Sequence, residues 1–335
     1  MNQLHLISKY RNSLMGFAIL WTISFHIFTK FRLYDVPALN IFFWPGFGGV
    51  DIFFFLSGFG LYYSSLKNET KLLFYLKRFI RIFPAYIIVC LVDSLLVPDY
   101  SIGHFIAKVT TIGYWFNYSY FDWYVPSLVI FYLVFPFYIL AFQKHPYRST
   151  IVASFVGLLL TVIYISGRIN TGVIMILFFI RIPIFFIGVL AGKLSLDKKI
   201  HWPHLKEVSL ILTIIGFASF FLFNTSPIFT PYLWKGLLWI PFILITPGLT
   251  FVLSYLFENY LYNIRIEAFL SFFGKISFEL FLIHVMLFKL INISSSDSIP
   301  PYLQLCFALA ASLVGAVLLH KICDIIASRI LNKQN

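Results

Sequence analysis

Ten apolar runs constrain this chain more than any other feature. They fall at about 12–30, 43–64, 82–97, 123–142, 150–167, 173–192, 207–223, 234–256, 274–291 and 302–326. Each is near the roughly 20 residues that a helix needs to cross the hydrocarbon of a bilayer. Backbone amides find no partner in lipid, so only helices and closed barrels span it. A barrel would show alternating segments of about ten residues, and these runs are continuous. The expected fold is therefore all-α: a polytopic membrane bundle of about ten transmembrane helices. Composition agrees, since 60% of the 335 residues are hydrophobic and 11% charged, where a soluble domain carries about twice that charge. No linker or internal repeat divides the chain, so residues 1–335 read as a single domain. The stretch 103–117 is apolar enough for a re-entrant or interfacial helix. Gly48-Gly49 and the Pro241 and Pro247 pair are candidate helix breaks.

The formal charge of +12 is explained by membrane topology, and nothing points to nucleic acid. With a cytoplasmic N-terminus, inside segments hold eighteen of the 25 basic residues and outside ends hold six (Lys30, Arg32, Lys108, Arg168, Lys235 and Lys289), leaving Arg181 within a span. This bias predicts a multi-pass protein with both termini cytoplasmic. Cys90, Cys306 and Cys323 are scattered, without metal spacing or a disulfide framework. The first apolar run is too long for a signal peptide and lacks a cleavage site.

Ionisable groups inside hydrocarbon are costly and mark candidate sites. His26 lies fifteen residues beyond Arg11, about 22 Å along a helix, which puts it in the outer half of the bilayer. A neutral imidazole there can act as a base on a hydroxyl. Asp51, in Gly49-Val50-Asp51-Ile52-Phe53-Phe54-Phe55-Leu56-Ser57-Gly58-Phe59, lies at a comparable depth and could orient that imidazole. Gly49 and Ser57-Gly58 would allow close helix approach. Arg78 and Arg81 are three apart on one helical face, a pairing that suits phosphate oxygens, and Tyr86 follows Pro84. Asp122-Trp123-Tyr124 opens the fourth span. Arg181 must be paired, with Asp51, Asp93 and Glu279 as the acids within reach of the membrane. Glu279 and His284 share the ninth span, about 140° apart around its helix.

Taken in order, these stretches resemble the integral-membrane acyltransferase 3 family. The resemblance rests on Gly49 to Phe59, on Arg78, Arg81, Pro84 and Tyr86, on Trp123-Tyr124 with Tyr132 and Pro136, on Arg181-Ile182-Pro183 with Gly188 and Gly192, and on Gly274 to His284. It departs at Met15, where the family often has an Arg. Arg11, one turn earlier, lies on the same face. The fourth span also lacks the Glu that many members carry. The resemblance implies transfer of an acetyl or other short acyl group from cytoplasmic acyl-coenzyme A, most readily acetyl-coenzyme A, to a surface polysaccharide or lipid-linked sugar. No metal is implied. His26 and Asp51 would be catalytic. Arg78, Arg81, Tyr86 and Arg11 would hold the donor. Trp123, Tyr124, Arg181, Glu279 and His284 would meet the acceptor. The implied setting is the plasma membrane, in contact with membrane lipid, and a homodimer is compatible with it. The alternative is a transporter that exports polysaccharide or acyl groups.

Overall fold

The computed structural model describes residues 3–31, 37–67, 70–96, 101–118, 120–166, 174–197, 202–261, 265–291 and 300–331. Arg32, Arg168, Lys198, Lys199 and Lys333, which contribute to the charge bias, lie outside them. The described residues are helical and contain no strand. In chain order the helices are α1 (His5–Lys9), α2 (Arg11–Lys30), α3 (Pro37–Phe43), α4 (Gly49–Ser65), α5 (Lys71–Leu96), α6 (Ile102–Val109), α7 (Ile112–Trp115) and α8 (Tyr124–Lys144). They continue with α9 (Pro146–Ile165), α10 (Ile174–Phe179), α11 (Arg181–Leu196), α12 (Leu205–Thr225), α13 (Phe242–Asn259), α14 (Arg265–Lys275), α15 (Ser277–Leu290) and α16 (Pro301–Leu331). Short 3-10 turns cover Trp44–Gly48, Thr230–Lys235 and Leu237–Trp239.

Among the described residues nine helices are long and apolar enough to cross a membrane, and α14 with α15, bent by 69°, makes a tenth. This is the polytopic helical bundle that the apolar runs predict. Three details differ. α5 begins at Lys71, eleven residues before the expected start, because the helix continues through the basic stretch that precedes the apolar run. The ninth span is preceded by α14, an amphipathic helix set at an angle to it. The 103–117 stretch forms α6 and α7, which are too short to cross. The candidate breaks behave differently from one another. The 3-10 turn gives way to α4 at Gly48-Gly49, Pro241 precedes α13, and Pro247 lies within it.

Buried hydroxyls mostly return to their own helix. Thr161 donates to the Gly157 carbonyl, Thr213 to Ser209 and Ser254 to Thr250, each at 2.8 Å. This satisfies a polar group that has no water to turn to.

The contacts gather into two compact units, each discontinuous in sequence. One comprises Met1–Ala18, Phe47–Asn68 and Val134–Gly274, and the other Ile19–Gly46, Glu69–Leu133 and Lys275–Asn335. In the first, α4 and α11 cross through small residues. A Cβ on Gly58 would run into the Phe185 carbonyl, and one on Gly188 into the Phe55 carbonyl. Gly192 extends the contact to Phe59. Gly188 and Gly192 are four apart, the spacing that lets membrane helices touch backbone to backbone. In the same unit Gly16 and Gly274 bring α2 and α14 together, over the carbonyls of Leu270 and Asn12. In the second unit α15 packs on α16 and α5, and α6 packs on α5.

Candidate active site

In the first unit the α4–α11 crossing buries an ion pair. Arg181, 1% exposed, donates from Nε to Oδ1 of Asp51 at 2.8 Å and from Nη2 to Oδ2 at 3.5 Å. Nη1 donates to the Leu177 carbonyl at 3.2 Å, and the guanidinium lies 5.7 Å from the Trp239 ring centroid. Of the three acids open to Arg181, Asp51 is the partner. Arg11, at the start of α2, rests against Gly60 of α4, where a Cβ would be 3.5 Å from its Nη2.

The second unit holds His26 and His284. His26 is half-buried, and its ring centroid is 5.3 Å from that of His284 at 57°. His284 is fully buried, with Phe281 and Phe288 at 5.6 and 5.7 Å. Its Nδ1 is 2.9 Å from the Leu280 carbonyl. A carbonyl only accepts, so Nδ1 carries the hydrogen and a neutral ring keeps its lone pair on Nε2. That Nε2 is buried and has no hydrogen-bond partner among the described residues. A backbone carbonyl thus presets one imidazole as a bare acceptor beside a second imidazole. Tyr124 extends this aromatic series, its ring 5.0 Å from Phe281.

Glu279 lies on α15 with His284 but is bonded elsewhere. Its Oε1 is 3.1 Å from Nδ1 of His320 on α16, and Nε2 of His320 is 3.5 Å from Asp324. Oε2 of Glu279 is buried without a hydrogen-bond partner among the described residues. His320 was missed from sequence. Its spacing of four from Asp324 was the signal, but its partner Glu279 is 41 residues away.

The arginine pair and Tyr86 do not converge. Arg78 lies over the Phe74 ring at 4.8 Å, and Arg81, one turn on, is exposed. Tyr86 is fully buried, with its ring 5.4 Å from Phe121 and its hydroxyl donating to the Lys108 carbonyl at 3.3 Å. Eight residues of helix put it about 12 Å along the axis from Arg78. Tyr86 instead belongs to a polar cluster that sequence did not reveal. Lys108, expected at an outer loop, is buried with its Nζ 2.8 Å from Asp93 and 3.4 Å from Ser94. Lys289 approaches the other oxygen of Asp93 at 3.7 Å.

Asp122 accepts from the Val125 amide at 2.7 Å, an N-cap that starts α8. Its Oδ2 is buried, and the Tyr86 hydroxyl lies near the carboxyl. Burial pushes this carboxyl up to about 6, against the opposing pull of the Val125 N–H. Trp123 is half-buried beside it, and its carbonyl accepts from the Ser127 hydroxyl at 2.8 Å. Among the described residues no group of three metal-ligating side chains forms, and the three cysteines are free.

No curated protein and no solved structure matches this chain. The model of an acyltransferase domain does match, over residues 12–321, and takes in every candidate residue except Arg11. With that match over most of its length, the chain belongs to the acyltransferase 3 family, whose membership implies membrane acyltransferase activity.

Proposed function

We propose that the protein carries an acetyl or other short acyl group from cytoplasmic acyl-coenzyme A to a hydroxyl of an extracytoplasmic glycan or lipid-linked sugar. It would work in the plasma membrane with both termini in the cytoplasm. The observation that carries the catalytic part is the pairing of His26 with His284, 5.3 Å apart within membrane-spanning helices, with Nε2 of His284 left as a bare acceptor. His26 removes the proton of the acceptor hydroxyl as its oxygen attacks the thioester carbonyl. The carbon–sulfur bond then breaks, and the imidazolium returns its proton to the departing thiolate. His284 holds the His26 ring in line by accepting a hydrogen bond from its ring N–H at Nε2. Arg78 and Arg81 supply forked donors for the phosphates of the donor. Asp51 and Arg181 act through the fold, by fixing α4 against α11.

The test has two arms. Mass spectrometry of surface glycans from cells with and without the gene should show an acyl mass that depends on it. Purified protein should bind acetyl-coenzyme A, and Arg78→Ala with Arg81→Ala should abolish the binding. Unchanged glycan masses together with unaffected binding would reject the reading. The Asp324–His320–Glu279 series suits the alternative of a proton-coupled carrier, since in-membrane carboxylates and histidines are the parts of proton relays. Efflux of a glycan that collapses with the proton gradient would favour that alternative.

A further inference from the structure

The C-terminal end of α8 and the start of α9, both within the first unit, enclose an open groove of about 840 Å³ that the acyl-transfer scheme does not use. Its two walls are single helix faces. Phe137, Leu140 and Lys144 follow one another on α8 at steps of three and four. His145, Arg148 and Val152 do the same from the turn into α9. Such steps put side chains on one side of a helix. The groove is therefore graded along its length. Lys144, His145 and Arg148 crowd the hairpin end, while Phe137 lies seven residues, or about 10 Å, deeper. No acid lines it.

All three basic groups are exposed, and none has an ion pair or side-chain hydrogen bond among the described residues. This contrasts with Lys9, Lys108 and Arg181, each matched to a carboxylate. The first turn of α9 follows His145 without a side-chain cap, so its free amides add to the positive field at the same end. The apolar wall is exposed as well, with Phe137 at 65%, Leu140 at 55% and Val152 at 54%.

We propose that this groove is a binding site for an anionic glycerophospholipid of the surrounding membrane. The phosphate sits among Lys144, His145 and Arg148, and an acyl chain runs along Phe137, Leu140 and Val152. Charge complementarity selects the head, since two unmatched cations, Lys144 and Arg148, with no acid favour a net negative group over a zwitterion. The depth of the apolar wall selects a lipid over a free phosphate, because a soluble anion would leave that wall uncovered. Each basic residue near an anionic headgroup contributes roughly a fivefold gain in affinity, so removing two should weaken binding by roughly thirtyfold.

The experiment uses the full-length purified protein in neutral detergent, with bound lipid counted by native mass spectrometry. The probes are phosphatidylglycerol, phosphatidylcholine, glycerol 3-phosphate and coenzyme A. The expected result is selective retention of phosphatidylglycerol, weakened roughly thirtyfold in Lys144→Gln with Arg148→Gln. A second variant, Ala141→Trp, keeps every charge and fills the groove from the α8 side, and it too should release the lipid. Equal retention of phosphatidylcholine, or retention of phosphatidylglycerol by both variants, overturns the proposal. Displacement of the lipid by glycerol 3-phosphate would make the site a phosphate site only. Displacement by coenzyme A would reassign it to the acyl donor. Either displacement rejects the lipid.

Discussion

Removing either member of the Asp51–Arg181 pair should be costly, and removing both should be much cheaper than the sum. Both side chains are 1% exposed or less, and one good hydrogen bond, Nε to Oδ1, carries most of their contact. A buried charge left without its partner costs about 3–5 kcal/mol. Arg181→Met strands a carboxylate and Asp51→Asn strands a guanidinium, so the two singles together sum to about 6–10 kcal/mol. In the double variant no charge remains. What is lost is the bond to the Leu177 carbonyl and the cation–ring contact with Trp239, about 1–3 kcal/mol together. The coupling is then several kcal/mol. At about 2 °C per kcal/mol, each single should melt about 6–10 °C lower in detergent, and the double only about 2–6 °C lower. Strict additivity, with the double falling by the sum of the singles, would refute the idea that the pair exists to neutralise itself.

Gly188→Ala should cost about 1–3 kcal/mol, because its Cβ meets the Phe55 carbonyl and α4 must move off α11. Gly103→Ala is the control: there a Cβ meets only Ser101 Oγ, at 3.8 Å, and the melting temperature should barely change. The Asp122 carboxyl, raised from 3.8 to about 6 in the folded protein, binds its proton more tightly folded than unfolded. Its contribution to stability is therefore present at low pH and lost as pH rises from about 4 to 6, by about 3 kcal/mol at most. Asp122→Asn keeps the cap on Val125 and should remove that slope from melting temperatures measured across pH 4 to 7. An unchanged slope would put the titrating group elsewhere.

The bundle was legible because hydrocarbon imposes one rule on every span, and ten apolar runs of the right length satisfy it. Arg181 was legible as a group in need of a partner, since a mid-span guanidinium cannot stand alone, but the choice of Asp51 from three acids depended on the α4–α11 crossing. Gly188, Gly192 and Gly274 stood out as motif letters, and their physical reason appears only in the carbonyls pressed against them. His284 read as one histidine among others. Its bare Nε2 follows from the Leu280 carbonyl and from the His26 ring beside it, a neighbour more than 250 residues away in sequence. Lys108 misled for the opposite reason, since loop-end lysines are ordinarily solvated and this one folds in to meet Asp93. Tyr86 was grouped with Arg78 and Arg81 by adjacency in a motif, whereas helix rise carries it to a different cluster.

The most direct measurement is the acyl content of surface glycans from cells expressing His26→Ala, compared with wild type at matched protein levels in the membrane. The expected result is complete loss of the gene-dependent acyl mass, with the variant's melting temperature and acetyl-coenzyme A binding retained. Wild-type acylation by that variant would contradict the assignment of hydroxyl activation to the imidazole facing His284.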